Sequence, residues 1–422
     1  MINLNEMGQS ARQAAQYLAV LDGDRKNRAL IVLAGLLVDQ AEAVLSANAI
    51  DIQLAEEAGL TPALIDRLRL SGTSLASLAD DVRRVAELPD PIGVEFDRKE
   101  LPNGLRVHKQ RVPIGVLAVI YESRPNVTVD VTSLALKSGN AVILRGGKET
   151  LHTNRATLKI IQEALTTCAI PPGAVQFVDS SDRDEVLSLI QMGDAIDMLI
   201  PRGGAGLHRF CRENSRIPVM TGGIGICHLF VDQSADQKLA VKIIHNAKTQ
   251  RPSVCNSLDT VLVHHAIAEE FVPLLIEHLL EAGVEIRLDA AAMACIQGKP
   301  FSPDRVSLVG PEDFDTEWLS LVLGVRVVPG LEEAIEHIQI HSTGHSDGVL
   351  TQDKGNANHF IQQVDSAAVY VNASTRFTDG GQLGLGAEVA VSTQRLHARG
   401  PMGLEALTTY KWVVRGDDHV RE

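Results

Sequence analysis

Gly115-Val116-Leu117-Ala118-Val119-Ile120-Tyr121, a helical segment over residues 128–137, and Ala141-Val142-Ile143-Leu144 together decide the fold of this chain. Two apolar β-type runs flank one helical pattern. The alternation continues outward with a helix over 151–167, a strand over 175–177 and a strand over 195–200. Pro171-Pro172-Gly173 is a turn that launches the third of these strands. Strand–helix alternation of this kind predicts a parallel, doubly wound sheet of the α/β class. A second α/β block is expected from about Gly222-Gly223. Its strands are read at 228–231, 260–263, 325–328 and 348–351, and its helices near 236–249, 266–282 and 331–341. Upstream, residues 1 to about 90 read as helices. Leu30, Leu33, Leu37 and Ala41 form one stripe, and Thr61-Pro62 reads as an N-cap with proline at the first helical position. Asn103-Gly104, between β-type runs at 98–101 and 105–109, is a hairpin signal. The run 407–415 reads as a further pairing strand.

The bulk numbers narrow the function. The chain has 422 residues, 45% hydrophobic and only 4% aromatic, so its core is aliphatic. The formal net charge of −14 argues against nucleic acid and against an anionic membrane surface as partners. A protein this acidic must cluster its cations to hold an anionic substrate. The five cysteines, Cys168, Cys211, Cys227, Cys255 and Cys295, are odd in number and include no CxxC pair. That fits a reducing cytoplasm better than a disulfide framework or a structural zinc. The start of the chain carries no basic and apolar leader pattern. The longest apolar run, 30–38, is far too short to span a bilayer.

Five places carry chemistry. Cys255 lies in Gln250-Arg251-Pro252-Ser253-Val254-Cys255-Asn256-Ser257, a polar loop between a helix and a β-type run. A thiol there can meet a substrate as a nucleophile; a buried structural cysteine is the other reading. Arg145-Gly146-Gly147-Lys148 ends a strand, where α/β folds place ligands. Its glycines would admit phosphate, and Arg145 and Lys148 would take a ribose or a 2′-phosphate, or else form a plain turn with solvated charges. Gly203 and Gly204, in Pro201-Arg202-Gly203-Gly204-Ala205-Gly206, make a second strand-to-helix turn without the full dinucleotide spacing. Tyr121-Glu122-Ser123-Arg124-Pro125-Asn126 offers Asn126 as an oxyanion donor and Arg124 as an anion ligand, against a polar helix cap. The late cations His341, His345, Arg376, Arg395, His397 and Arg399 form a candidate anion-binding set. No HExxH pattern occurs, and no metal is expected.

Read in order, Pro113-Ile114-Gly115-Val116, Gly139-Asn140-Ala141-Val142, Pro171-Pro172-Gly173, the glycine turn, Gly222-Gly223 and the thiol loop resemble the aldehyde dehydrogenase superfamily over nearly the whole chain. The stretches 121–126, 250–256 and 397–404 resemble one branch of it. The resemblance implies two doubly wound α/β domains plus a β oligomerisation arm. The cofactor domain would span 1–97 and 113–223, the catalytic domain 224–395, and the arm 98–112 and 405–417. It further implies NADPH-dependent reduction of L-glutamyl 5-phosphate to L-glutamate 5-semialdehyde and phosphate, in proline biosynthesis. A homo-oligomer follows from the arm, and glutamate 5-kinase is the associated enzyme that would supply the acyl phosphate. Cys255 aligns with the superfamily nucleophile. Arg145 falls where a lysine usually holds the adenosine ribose, and Glu317 where a glutamate holds the nicotinamide ribose. Arg124, Arg376 and Arg399, with His345 and His397, become the substrate-binding set.

Two departures inform the chemistry. Hydrolytic members carry a glutamate just before the paired glycines; here Met220-Thr221 stand there, and methionine cannot act as a base. The usual Trp-Asn is replaced by Ser123-Arg124-Pro125-Asn126, which makes the Cys255 backbone N–H a safer oxyanion candidate than Asn126. Two other readings remain at this point: an aldehyde-oxidising dehydrogenase of the same fold, and a binding protein that uses the fold without its chemistry.

Overall fold

The computed structural model describes residues 3–122, 124–180, 182–222 and 224–421, without the side chain of Ala63. They form two compact units. The first takes the chain up to Gly222 with Gly384–Val391 and the segment from Pro401 onward; the second takes the rest up to Leu383 with Ser392–Gly400.

The first unit opens with five helices: Leu4–Leu18, Gly23–Asp39, Ala41–Glu57, Pro62–Leu68 and Gly72–Glu87. Their starts are set by capping. The Asp22 carboxylate accepts from the Arg25 N–H at 2.8 Å, and Ser71 and Ser74 form a reciprocal capping box. Leu30, Leu33 and Leu37 are fully buried, as their shared stripe predicts. The central sheet has four parallel strands in the spatial order Val175–Phe177, Ala141–Arg145, Val116–Tyr121 and Met198–Arg202. In chain order that is third, second, first, fourth. The winding therefore reverses between Val116–Tyr121 and Met198–Arg202, and ligands of open α/β sheets bind outside the carboxyl ends of such a strand pair. Val116 to Tyr121 are all buried, so the run is continuous rather than alternating.

The arm is a three-stranded antiparallel sheet of Glu95–Glu100, Arg106–Pro113 and Thr408–Arg415. Asn103-Gly104 makes its turn, with Gly104 at φ 86°, a backbone that favours glycine. Lys109 lies over the rings of Tyr410 and Trp412 at 4.6 and 5.2 Å. Asn140 roots the arm: its side chain accepts from the Gly115 N–H at 2.8 Å and donates to the Leu407 carbonyl at 2.9 Å.

The second unit is built on a seven-stranded parallel sheet. Its order is Val306–Leu308, Glu285–Leu288, Val322–Val328, Leu258–His264, Cys227–Val231, Ser346–Leu350 and Ala368–Val371. The four strands read from sequence are its centre, where burial on both faces gives long apolar runs. The three unread strands lie toward its edges. They are three or four residues long, and none is buried along its whole length, so neither length nor hydrophobicity marked them. Among the described residues, no single helix is long and apolar enough to cross a membrane.

Candidate active site

At the reversal point of the first unit, Glu122 follows strand Val116–Tyr121, and Gly203-Gly204 lead from Met198–Arg202 into helix Ala205–Asn214. The Glu122 carboxylate accepts the Gly204 N–H at 3.1 Å. A Cβ at Gly203 would sit 2.4 Å from the Glu122 carboxyl carbon, whereas one at Gly204 would meet nothing within 4 Å. Gly203 is thus small to admit Glu122. The open N–H face at Gly204 already holds an anionic group, as helix N-termini do. A pyrophosphate at this helix N-terminus would have to displace the Glu122 carboxylate from the Gly204 N–H.

Arg145 ends strand Ala141–Arg145 and is partly buried; burial lowers its pKa, while Glu149 acts the other way. Gly146 has a structural reason the sequence did not reveal. A Cβ there would lie 2.3 Å from the Asn154 amide nitrogen. Asn154 belongs to a buried chain in which Tyr121 bonds Thr128 at 2.6 Å, Thr128 donates to Asn154 at 2.7 Å, and Asn154 donates to Thr150 at 3.0 Å. Gly147 caps the short turn Lys148–Thr150, and Lys148 is exposed there. Asn126 precedes helix Val127–Lys137 and donates its amide to Asp130 at 2.8 Å, so one of its two amide hydrogens is already committed. Burial raises the Asp130 carboxyl to about 6. Arg124 is exposed beside it.

In the second unit, Cys255 lies in the loop between helix Gln237–Thr249 and strand Leu258–His264, partly exposed. That is where the sequence placed it. The loop is clamped on its far side. Asn256 donates to the Thr378 carbonyl at 2.9 Å, and the Thr375 hydroxyl donates to the Asn256 carbonyl at 2.7 Å. Between Thr375 and Thr378 stands Arg376, half-buried, whose Nε donates to the Gln250 side chain at 2.7 Å. Gln250 and Asn256 flank Cys255, so the Arg376 guanidinium holds one shoulder of the thiol loop, while Thr375 and Thr378 of the same turn hold the other. Burial, and then Arg251, lower the Arg376 pKa; Asp379 and the Cys255 thiol raise it. Glu317 is partly buried and accepts the Gly225 N–H at 2.9 Å; burial raises its pKa.

Two members of the late cation set are corrected by the structure. His345 is 1% exposed and bonds Ser346 at 2.8 Å. Burial lowers its pKa to about 4, so it is neutral at pH 7 and is no anion ligand. Arg399 donates to the Asp365 carboxylate at 2.6 Å, and Arg395 joins it there at 2.5 Å; its charge is answered within the protein. His397 is exposed. Among the described residues no cluster of metal-ligating side chains occurs.

The His345 burial has a measurable consequence. Its folded pKa lies below the unfolded value, so its stabilisation is present above pH 6.5 and is lost as pH falls toward 4. Asp130 and Asp259, raised to about 6 by burial, act with the opposite sign, so wild type alone does not isolate the effect. The stability gap between wild type and His345→Gln should narrow by about 2 kcal/mol from pH 7 to pH 5 in urea titrations. A gap independent of pH would show that His345 is not held neutral.

Sequence reasoning passed over Glu122, Gln250 and Gly225. Each acts through a partner distant in sequence, and only Gly225, in Gly222-Gly223-Ile224-Gly225, carried a composition signal.

This combination of two parallel α/β sheets, an antiparallel arm and a thiol loop defines a class. The sequence model of the aldehyde dehydrogenase family matches residues 3–297, and the chain belongs to that family, as an oxidoreductase. The relatives it matches over full length are more particular. It is 57% identical to a gamma-glutamyl phosphate reductase of Yersinia enterocolitica, covering 100% of both chains. It is 56% identical to the Escherichia coli O1:K1 protein of that name, over 99% of this chain and 100% of the relative. The solved structure of the Thermotoga maritima gamma-glutamyl phosphate reductase superposes with a TM-score of 0.96 at 46% identity, covering 100% of both chains. An acetylating aldehyde dehydrogenase of Geobacillus thermoglucosidasius, at 19% identity and TM-score 0.72 over 99% and 97% of the two chains, shares the fold.

Proposed function

We propose that this enzyme reduces L-glutamyl 5-phosphate to L-glutamate 5-semialdehyde and phosphate with NADPH, through a thioester on Cys255, as a step of proline biosynthesis in the cytoplasm. The observation that carries the reading is the partly exposed Cys255 thiol in a loop whose two shoulders are held by the turn that carries Arg376, Gln250 by Arg376 itself and Asn256 by Thr375 and Thr378. The names of the full-length relatives supply the substrate.

In this reading the Cys255 thiolate attacks the acyl carbon. The C–S bond forms, the C–O bond to phosphorus breaks, and phosphate leaves with the bonding pair. Arg376 answers the phosphate charge with a guanidinium suited to bidentate contact. Arg124, Arg399 and His397 remain for the α-carboxylate, Arg399 only by exchange with Asp365. The Cys255 backbone N–H or the Asn126 amide steadies the oxyanion. Gly203, Gly204, Gly146, Gly147, Arg145, Lys148 and Glu317 would hold the cofactor, with Arg145 or Lys148 against a 2′-phosphate. When bound, the nicotinamide supplies the hydride that brings the thioester to the aldehyde level. Collapse of the thiohemiacetal then breaks the C–S bond and returns the thiolate. Met220, buried and two residues before Gly222 in sequence, offers no base to activate water, so the thioester leaves by reduction rather than hydrolysis. The arm would join copies of the chain into a homo-oligomer, and association with glutamate 5-kinase would shorten the path of a labile acyl phosphate.

The test is the reverse reaction: NADP⁺ reduction by glutamate 5-semialdehyde, with and without phosphate. Strict dependence on phosphate is expected. Equal rates without it would move the enzyme to the hydrolytic class and overturn the Met220 reasoning.

A further inference from the structure

One buried ion pair behind the thiol loop has no part in the chemistry described so far. Lys248 stands in the last turn of helix Gln237–Thr249, and Asp259 is the second residue of strand Leu258–His264. Both are essentially unexposed, at 0% and 2%, and their charged atoms lie 3.5 Å apart. The pair therefore joins the two ends of the segment that carries Cys255. Buried pairs of this kind contribute little net stability, because desolvation offsets the attraction. Burial raises the Asp259 carboxyl to about 6 and lowers the Lys248 pKa, in keeping with that cost.

Asp259 does more than face Lys248. One carboxylate oxygen accepts the Trp318 N–H at 3.2 Å, and the other accepts the Cys227 N–H at 3.4 Å. Each of those residues leads to a reacting group. Trp318 follows Glu317, which accepts the Gly225 N–H at 2.9 Å. Cys227 donates its thiol to the Cys255 carbonyl oxygen at 3.3 Å. A single carboxylate thus touches the base of the thiol loop, the segment packed under Cys255 and the residue after Glu317.

We propose that Asp259, paired with Lys248, is a positioning residue that holds the Cys255 loop and the Glu317 carboxylate in one frame. Thiol placement and cofactor-ribose binding then depend on the same buried group. The inference rests on the reading that Cys255 is the nucleophile and Glu317 a cofactor ligand.

The experiment uses the full-length enzyme as Asp259→Asn, as Lys248→Met, and as the double variant Lys248→Met/Asp259→Asn. The double variant leaves no unpaired charge in the core and so guards against simple misfolding. Two quantities are read. One is the rate at which iodoacetamide alkylates Cys255, resolved by peptide mass spectrometry, with partly exposed Cys168 and Cys295 as internal references. The other is the separation of kcat from KM for NADP⁺. In the double variant, the Cys255 rate should change several-fold while the two references hold. KM for NADP⁺ should rise, and kcat should fall on the order of 100-fold, the scale of a misplaced reacting group. A purely structural role would move all three cysteines and the melting temperature together. Wild-type alkylation and kinetics in the double variant, with Cys255→Ala inactive, would overturn the positioning role alone. An active Cys255→Ala would overturn the nucleophile reading, and this proposal with it.

Discussion

Cys255→Ala should lower phosphate-dependent NADP⁺ reduction by at least about 10⁴-fold while leaving the melting temperature close to wild type. The magnitude follows from what the substitution removes. In covalent catalysis the nucleophile and the groups that serve it act as a unit, so its loss costs nearly the whole covalent advantage. The remaining machinery, cofactor site and Arg376 alike, has nothing to transfer the acyl group to. The small stability effect follows from position. The thiol is partly exposed in a loop, and the loop is held by Asn256 and Thr375 through contacts that do not use the sulfur. Cys255→Ser should be nearly as inactive, since a serine hydroxyl is scarcely ionised where a cysteine is partly thiolate. Mass spectrometry of quenched wild-type enzyme with acyl phosphate and no reductant should find the glutamyl adduct on the Cys255 peptide. Activity of Cys255→Ala within about tenfold of wild type would sink the covalent route.

The sequence made some of this visible and hid the rest for physical reasons. Strands buried on both faces write themselves as apolar runs, so Val116–Tyr121, Ala141–Arg145 and Leu258–His264 were legible. The thiol loop was legible because Pro252, Ser253 and Asn256 break the helix and isolate one cysteine among polar neighbours. Edge strands such as Val306–Leu308 were not, because three residues with one buried carry too little pattern. The site was legible as residue types and only partly as roles. Gly203 was read as part of a strand-to-helix glycine turn, and the sequence did not show that Glu122 packs where its Cβ would stand. His345 was read as a cation, and burial makes it neutral. Arg399 was read as an anion ligand, and Asp365, 34 residues away, already answers it. Periodicity reports which face of an element is apolar. It does not report which distant side chain will stand opposite a polar one, and charge, tautomer and hydrogen-bond commitment are all set by that partner.

Gly225→Ala should be the most damaging single-carbon change in the second unit. A Cβ built on Gly225 lies 1.7 Å from the Cys255 carbonyl oxygen, 2.6 Å from its carbonyl carbon and 3.0 Å from its Cα. All three are backbone atoms, so no side chain can rotate away. Gly225 itself lies outside the left-handed region, which means alanine could adopt its backbone angles and the whole cost is steric. Either the Cys255 loop moves, or the strain remains. A loop that moves carries the Cys255 thiol with it, and a displacement near 1 Å of a reacting group costs about 100-fold in rate. It also loosens the Cys227 thiol bond to Cys255 and the Gly225 bond to Glu317. A loop that stays leaves overpacking worth about 1–3 kcal/mol. The expected result is therefore a kcat/KM at least about 100-fold down, a clearly lowered melting temperature, or both. Gly35→Ala is the contrast. Gly35 lies inside helix Gly23–Asp39 with nothing within 4 Å of its Cβ position. Alanine there should stabilise by up to about 1 kcal/mol with unchanged kinetics. Wild-type rate and melting temperature in Gly225→Ala would mean that the backbone at Gly225 does not press on the Cys255 loop. The close packing of these two segments would then have no bearing on where the thiol stands.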